Sequence, residues 1–260
     1  MKTLFLPFRH LLLAAALPAA FAFSACGDDD DDTPPAPDQG KVMLVHAAAS
    51  ANIQVTALVN DQQVSQLTYG QNSAYLAVNA GSPTLKINNS AGQTAVSQVL
   101  TVAKDQNYSA FAYAPTATTV GLIPITDDLS APASGQAKVR VVHLALNAPA
   151  TVKLSQQTIA GAVDIPNVTA TFPTSATATT AASSFVSVPA GNYNLLVTSG
   201  SPSVTVVAAG DGSGTGANGT ATATATRNYE AGKIYTVLVR GIAGSLDPAL
   251  QPRAVVIQHN

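Results

Sequence analysis

The chain has 260 residues, of which 10% are charged and 5% aromatic, with no Trp and a formal net charge of −2. From Lys41 onward ten Lys/Arg stand against eight Asp/Glu, so no basic field exists to attract nucleic acid, and a lone cysteine excludes internal disulfides and cysteine-built metal sites. The abundance of Ala, Thr, Val and Ser is the palette of short, half-buried strands and points to an all-β chain.

In chain order, Lys2 and Arg9 precede an apolar run from Leu11 to Phe23 that is too short to span a bilayer. Residues 1–25 therefore read as a signal peptide. The run ends in Phe23-Ser24-Ala25-Cys26-Gly27, which resembles the lipobox of bacterial lipoproteins. That resemblance implies a thioether-linked diacylglycerol on Cys26, with palmitate-type acyl chains as the membrane anchor. The other reading is a secretory signal cut after an Ala-x-Ala-like site, leaving Cys26 as a free thiol. Residues 26–40 hold the Asp28–Asp32 run and three prolines, a charged and stiffened tether with nothing apolar to fold it. A calcium site in this run lacks the turn glycines and second ligand shell it needs. Gly27 rather than Asp after the cysteine favours, by resemblance to the enterobacterial sorting rule, an outer-membrane address in the cell envelope.

Beyond the tether the sequence repeats itself. Lys41-Val42-Met43-Leu44-Val45-His46 is answered by Lys138-Val139-Arg140-Val141-Val142-His143, a shift of 97. Asn79-Ala80-Gly81 is answered by Pro189-Ala190-Gly191 at a shift of 110, and Tyr108 by Tyr235 at 127. Three matches in one order indicate two domains of one kind, at 41–128 and 138–260, joined by a linker at 129–137. The growing shift places two insertions in the second copy: Thr169 to Ser184, and a Gly-rich stretch around Gly210 to Gly216. Both are expected to be mobile surface loops. Apolar runs of four to seven residues, broken by Gly, Asn, Asp or Pro every eight to twelve, predict two tandem immunoglobulin-like β-sandwiches.

The openings Val42 to His46 and Val139 to His143, the latter continuing through Asn147-Ala148-Pro149, resemble the start of the DUF4397 domain. Pro189-Ala190-Gly191 and Gly232-x-x-Tyr235 fit the same layout. The resemblance covers Lys41 to the C-terminus in two copies, and the first departs from it where Ala47 to Asn52 lacks the prolines and aspartate of the turn. It implies an extracytoplasmic β-sandwich, often in lipoproteins, with no established activity.

For chemistry the residues offer little. His46 and His143 hold equivalent positions at strand ends, on one pleat face with Val42 and Leu44, or with Val139 and Val141. One imidazole per domain makes neither a zinc site nor a triad, so each is expected to be structural and hydrogen-bonded to a nearby loop. Glu230 is the only glutamate, the aspartates after the tether are scattered apart from Asp127-Asp128, which read as part of the linker-like stretch Asp127 to Gly135, and no Gly-x-Ser-x-Gly elbow occurs. Gly214-x-Gly216-x-x-Gly219 matches a dinucleotide fingerprint without its strand-to-helix context. Thr220 to Thr226 alternates Thr with Ala as an edge strand or loose loop, with a polymer-binding ladder as the sharper alternative. The seven tyrosines could include stacking platforms for sugars, but at strand positions most are expected in the core, with hydroxyls at the rim.

The sequence thus predicts a membrane-anchored binding or adhesion module without enzymatic activity, cofactor or metal, and with no nucleic-acid partner. Its partners are expected to be the membrane through Cys26 and an envelope polymer, glycan or protein. The alternative is a structural or accessory subunit of an envelope assembly for uptake or secretion; a hydrolase ranks third.

Overall fold

The computed structural model describes residues 36–175, 179–210 and 226–260. Cys26, the signal segment, most of the tether, the glycine fingerprint and Thr220 to Ala225 lie outside the described residues. Residues 37–260 form one compact unit, and among the described residues the ordered structure is strands and two short 3-10 turns. The chain is all-β.

The first half contains β1 (Gln39–His46), β2 (Val55–Val59), β3 (Gln62–Leu67), β4 (Asn72–Asn79), β5 (Thr84–Asn88), β6 (Thr94–Val99), β7 (Asn107–Thr116) and β8 (Thr119–Asp127). They make two four-stranded sheets, ordered β4-β1-β7-β8 and β3-β2-β5-β6. The alternation of the strands assigns the faces. Val42 and Leu44 of β1, with Ala110 and Ala112 of β7, turn inward to meet Val55, Ala57, Leu85 and Ile87 from the other sheet.

The second half contains β9 (Gln136–Leu146), β10 (Thr151–Thr158), β11 (Gly161–Thr171), β12 (Val186–Pro189), β13 (Gly191–Tyr193), β14 (Leu195–Ser199), β15 (Val204–Gly210), β16 (Arg227–Tyr229), β17 (Ile234–Ile242) and β18 (Arg253–Gln258). Its eight-stranded sheet runs β11-β10-β14-β15-β18-β17-β9-β12. Divided between β15 and β18, that order repeats the two sheets of the first half, β9 standing for β1, β17 for β7 and β18 for β8. A short parallel pairing, Ala209 with Ala254 and Gly210 with Val255, joins what the first half leaves as separate sheets. A Tyr193–Tyr229 stack, with ring centroids 4.7 Å apart, closes the end of this half beside the small β13-β16 ribbon.

A third core lies between the halves. Met43 and Val45, on the pleat face of β1 opposite Val42 and Leu44, and Ala47 just beyond the strand join Phe111, Tyr113 and Ile123 and pack against Val142, Leu144, Leu238 and Ile257. Val142 holds the position in β9 that Val45 holds in β1, and Leu238 that of Phe111, so each half presents the same face to the other. Phe111 is 0% and Leu238 1% exposed; full burial of such side chains stabilises by roughly 1.5–3 kcal/mol each. An apolar interface of this kind holds the halves as one body rather than as beads on a string.

Two expectations change here. Thr169 to Ser184 is not wholly a surface loop: β11 continues to Thr171, Ala170 is in the second-half core, and Ala181, Ala182 and Phe172 pack into the interface. Asp127 does not belong with a solvated linker; it closes β8 and is 3% exposed.

Candidate functional site

His46 and His143 are the natural starting point. His46 Nε2–H donates to the carbonyl of Ile53 at 3.1 Å, and His143 Nε2–H to that of Pro149 at 2.9 Å, each in the loop following its own strand. Burial lowers the pKa of both below the ordinary histidine value, against the raising effect of those bonds, so both rings are neutral at pH 7. The expected hydrogen bond to a nearby loop is present in both halves. Each ring also meets an aromatic residue from the connection between its half's third and fourth strands: Tyr69 against His46 at 5.9 Å, Phe172 against His143 at 5.8 Å. The other half then covers that aromatic. The Arg240 guanidinium lies 4.3 Å above the Tyr69 ring, and Tyr113 meets Phe172 edge-on at 6.4 Å. Arg240 and Tyr113 occupy the same position in β17 and β7, five residues past Tyr235 and Tyr108, so the two clasps are reciprocal.

At the centre of the interface lies a closed polar ring. Met43 is in register with Tyr75 of β4 and Ser109 of β7; at the matching position of β9, Arg140 is in register with Thr236 of β17 and stacks its guanidinium 4.3 Å over Phe185. Asp127 follows the partner of Tyr108, and His259 follows the partner of Tyr235. Four positions of one half therefore face the same four of the other, filled by Met43, Tyr75, Ser109 and Asp127 on one side and Arg140, Phe185, Thr236 and His259 on the other. Ser73 and Ser183 set the local geometry alike: each hydroxyl accepts a strand N–H, from Leu44 at 2.9 Å and from Val141 at 3.1 Å, where the fourth strand departs from regular pairing.

The hydrogen bonds fix the protons. Arg140 Nη2 donates to Asp127 Oδ1 at 2.6 Å, and Arg140 Nε to Thr236 Oγ1 at 2.8 Å. Asp127 Oδ2 accepts from both the Tyr75 and Ser109 hydroxyls at 2.6 Å. With its proton given to Asp127, Tyr75 Oη can only accept from His259, so His259 carries its proton on Nδ1, 2.7 Å away, and takes the Thr236 hydroxyl proton at Nε2, also at 2.7 Å. Burial, then the positive charge of Arg140, lowers the His259 pKa to about 4. Burial, then the Asp127 charge, raises that of Tyr75 far above the ordinary phenol value. Arg140 and Asp127 have side chains 2% and 0% exposed. Both carboxylate oxygens of Asp127, and the Nε and Nη2 of Arg140, have partners, the condition under which a buried ion pair specifies a docking geometry rather than weakening it.

Two hollows flank the interface. One, of about 440 Å³, lies between β8 and the residues before β12; Thr126, Asp128, Arg140, Ser183 and Phe185 are among its walls. Asp128, at its mouth, is held down to about 2 by Ser130 and Lys138. The other, about 660 Å³, lies between the β3–β4 turn and β18, with Gly70, Asn72, Ser73, Val255 and Val256 in its walls. Exchange of the halves carries one hollow onto the other, since Ser73 corresponds to Ser183 and β18 to β8. Among the described residues no group of three or more His, Cys, Asp or Glu is placed to hold a metal ion.

The structure thus gathers residues to which the sequence reading gave no site role: Tyr75, Ser109, Asp127, Arg140, Thr236 and His259. One signal was available. Arg140 interrupts the apolar run Val139 to Val142 at the place where the first copy has Met43, and a charge inside a buried strand requires a partner.

Fold and interface define the class: an all-β protein of two face-packed sandwiches joined by a buried polar ring. Residues 49–154 match the model of DUF4397, a domain of unknown function. The match begins behind β1 and ends within β10, so it crosses from one half into the other. No curated protein matches the chain. Among solved structures, the tip fimbrial protein Mfa3 of Porphyromonas gingivalis is similar over 85% of this chain and 99% of its own, at 8% identity and a TM-score of 0.24. A leucine-rich repeat protein of Bacteroides thetaiotaomicron VPI-5482 is similar over 79% of this chain and 26% of its own, at 10% identity and a TM-score of 0.18. Likeness at that level carries no functional argument.

Proposed function

We infer that the chain is a lipid-tethered, extracytoplasmic binding or adhesion module without catalytic activity, built from two copies of a DUF4397-type domain. The observation that carries this reading is the interface. His46, His143, His259, Asp127 and Arg140 are spent on holding loops or locking the halves together, and the strand-end loops and the two hollows beside the interface stay open to a partner. A rigid double sandwich behind a spacer suits the presentation of such surfaces. The lipobox-like Ser24-Ala25-Cys26 and the acidic, proline-bearing segment after it support the tether, because two or more acyl chains give durable anchoring where one does not. Replacing Cys26 by Ser releases the protein into the soluble fraction if this reading holds; a Cys26→Ser protein that stays with the membrane contradicts it. Binding of the purified protein to envelope polymers and glycans tests the adhesive part, and turnover of a tested substrate without binding to any polymer contradicts that part.

One observation favours the second reading, an accessory subunit of an envelope assembly. Ile159 and Val163 lie on one hairpin with relative exposures of 111% and 55%, and Leu246 reaches 98%. Apolar side chains this open suit a protein partner. Crosslinking in cells distinguishes the readings: a single stoichiometric partner contacting Ile159 supports the subunit, and a chain recovered alone contradicts it.

A further inference from the structure

Arg240 carries a buried charge for which the described residues supply no counter-charge. It is 6% exposed, and its Nε and Nη1 are buried without a hydrogen-bond partner. The five ion pairs among the described residues all involve other cations. Arg140 shows the contrast: equally buried in the same interface, it has a carboxylate, a hydroxyl and an aromatic face. Arg240 has the aromatic face of Tyr69 and the influence of its hydroxyl, but no carboxylate. The Tyr69 hydroxyl is itself buried without an aligned partner. Arg253, in register with Arg240 on β18, brings a second guanidinium whose charge acts on the Tyr69 hydroxyl.

Packing does not explain the charge, because the equivalent clasp is closed by the neutral Tyr113. A buried guanidinium with two nitrogens lacking an acceptor, beside a buried hydroxyl, is a place where an anion is favoured. There is also a way in. Gly70, at φ +92°, brings the backbone so close that a Cβ there would stand 2.6 Å from Arg240 Nη2, and Gly70 is in the wall of the 660 Å³ groove. A guanidinium whose fork is unoccupied matches an oxyanion in charge and in the spacing of its donors.

We propose that the Arg240–Tyr69 clasp is an oxyanion-binding site, taking a phosphate, sulfate or carboxylate group that enters past Gly70, with Arg240 as the principal donor and the Tyr69 hydroxyl beside it. The site goes beyond the proposed function and holds whether or not the chain is lipid-anchored. It makes the first-half clasp a place where a ligand stiffens the contact between the halves, while the second-half clasp, His143 with Phe172 and Tyr113, buries no charge.

The test is thermal unfolding of the full-length protein in inorganic phosphate, sulfate or glucuronate against chloride at equal ionic strength, with selenate soaked into crystals of the unaltered protein. The expected result is a saturable rise in midpoint, on the order of 5 °C at a hundredfold excess over Kd. The rise is lost in Arg240→Gln and reduced in Arg240→Lys, and anomalous density from selenate lies within hydrogen-bonding distance of the Arg240 guanidinium. Saturation by glucuronate at lower concentration than by phosphate assigns the ligand to an acidic sugar, and the reverse order to a phosphate-type anion. A non-saturating rise shared by all the salts, an equal rise in Arg240→Gln, or selenate density only elsewhere overturns the site. If Arg240→Gln does not fold, the selenate experiment on the unaltered protein decides alone.

Discussion

The two halves share a strand order and a contact face, yet they fill equivalent interface positions with opposite chemistry. The first half offers Asp127, Ser109 and the Tyr75 hydroxyl; the second has His259, Thr236 and Phe185 at those positions, and Arg140 where the first has Met43. A face that packs on its own copy fills each position identically on both sides, so an acid placed at one position is present twice. Two copies fused in one chain are free of that constraint and can place an acid on one side and a base on the other. The apolar surround kept its character, Val45 against Val142 and Ile125 against Ile257 being small changes or none, because packing requires only shape and volume.

The comparison can be broken most severely at Arg140. Making the halves alike there, by Arg140→Met, leaves Asp127 buried without its cation and is expected to cost about 3–5 kcal/mol in urea unfolding. Adding Asp127→Asn removes the stranded charge, so the double variant is expected to regain part of the loss; purely additive losses would contradict the pairing. The next largest effect comes from pH. A histidine whose folded pKa is lowered from 6.5 to about 4 binds its proton more weakly folded than unfolded. Its contribution is whole above pH 6.5 and fades as pH falls to about 4, to a limit of about 3 kcal/mol. The lowered pKa values of His46 and His143 act in the same direction. In His259→Gln, stability measured between pH 7 and 4 should fall less steeply than in the parent protein.

A finer change is Tyr75→Phe, which gives the first half the residue the second has in Phe185. It strands the His259 Nδ1–H and removes one donor from Asp127, and is expected to cost about 1–2 kcal/mol. Smallest of all is the surface pair of Lys104 with Asp38, 2.7 Å apart with both side chains more than half exposed. Asp38→Ala should change stability by less than about 0.5 kcal/mol, which sets the scale against which the buried ring is judged.

Strand rhythm and repeat were legible because each is local: alternation of apolar residues and recurring His46/His143, Tyr108/Tyr235 and Ala-Gly pairs need no knowledge of contacts. The histidine role was legible too, since a lone imidazole at a strand end has a loop within reach. The polar ring was not. Asp127 next to Asp128 reads as linker chemistry, and nothing along the chain says that it meets Arg140 of the following strand and Tyr75 some fifty residues earlier. The same blindness covers Thr169 to Ser184, whose Ala and Thr composition suits a loose loop, although Phe172 and Ala181 within it supply what the interface buries. Composition reports the average environment of a segment, and a single side chain in a clasp departs from that average.

The central claim is that the ring and its apolar surround make two sandwiches into one cooperative body. Calorimetric unfolding of the protein at pH 7 tests it most directly. The account predicts a single transition whose calorimetric and van't Hoff enthalpies agree, separating into two in Arg140→Met; two independent transitions in the unaltered protein would contradict it.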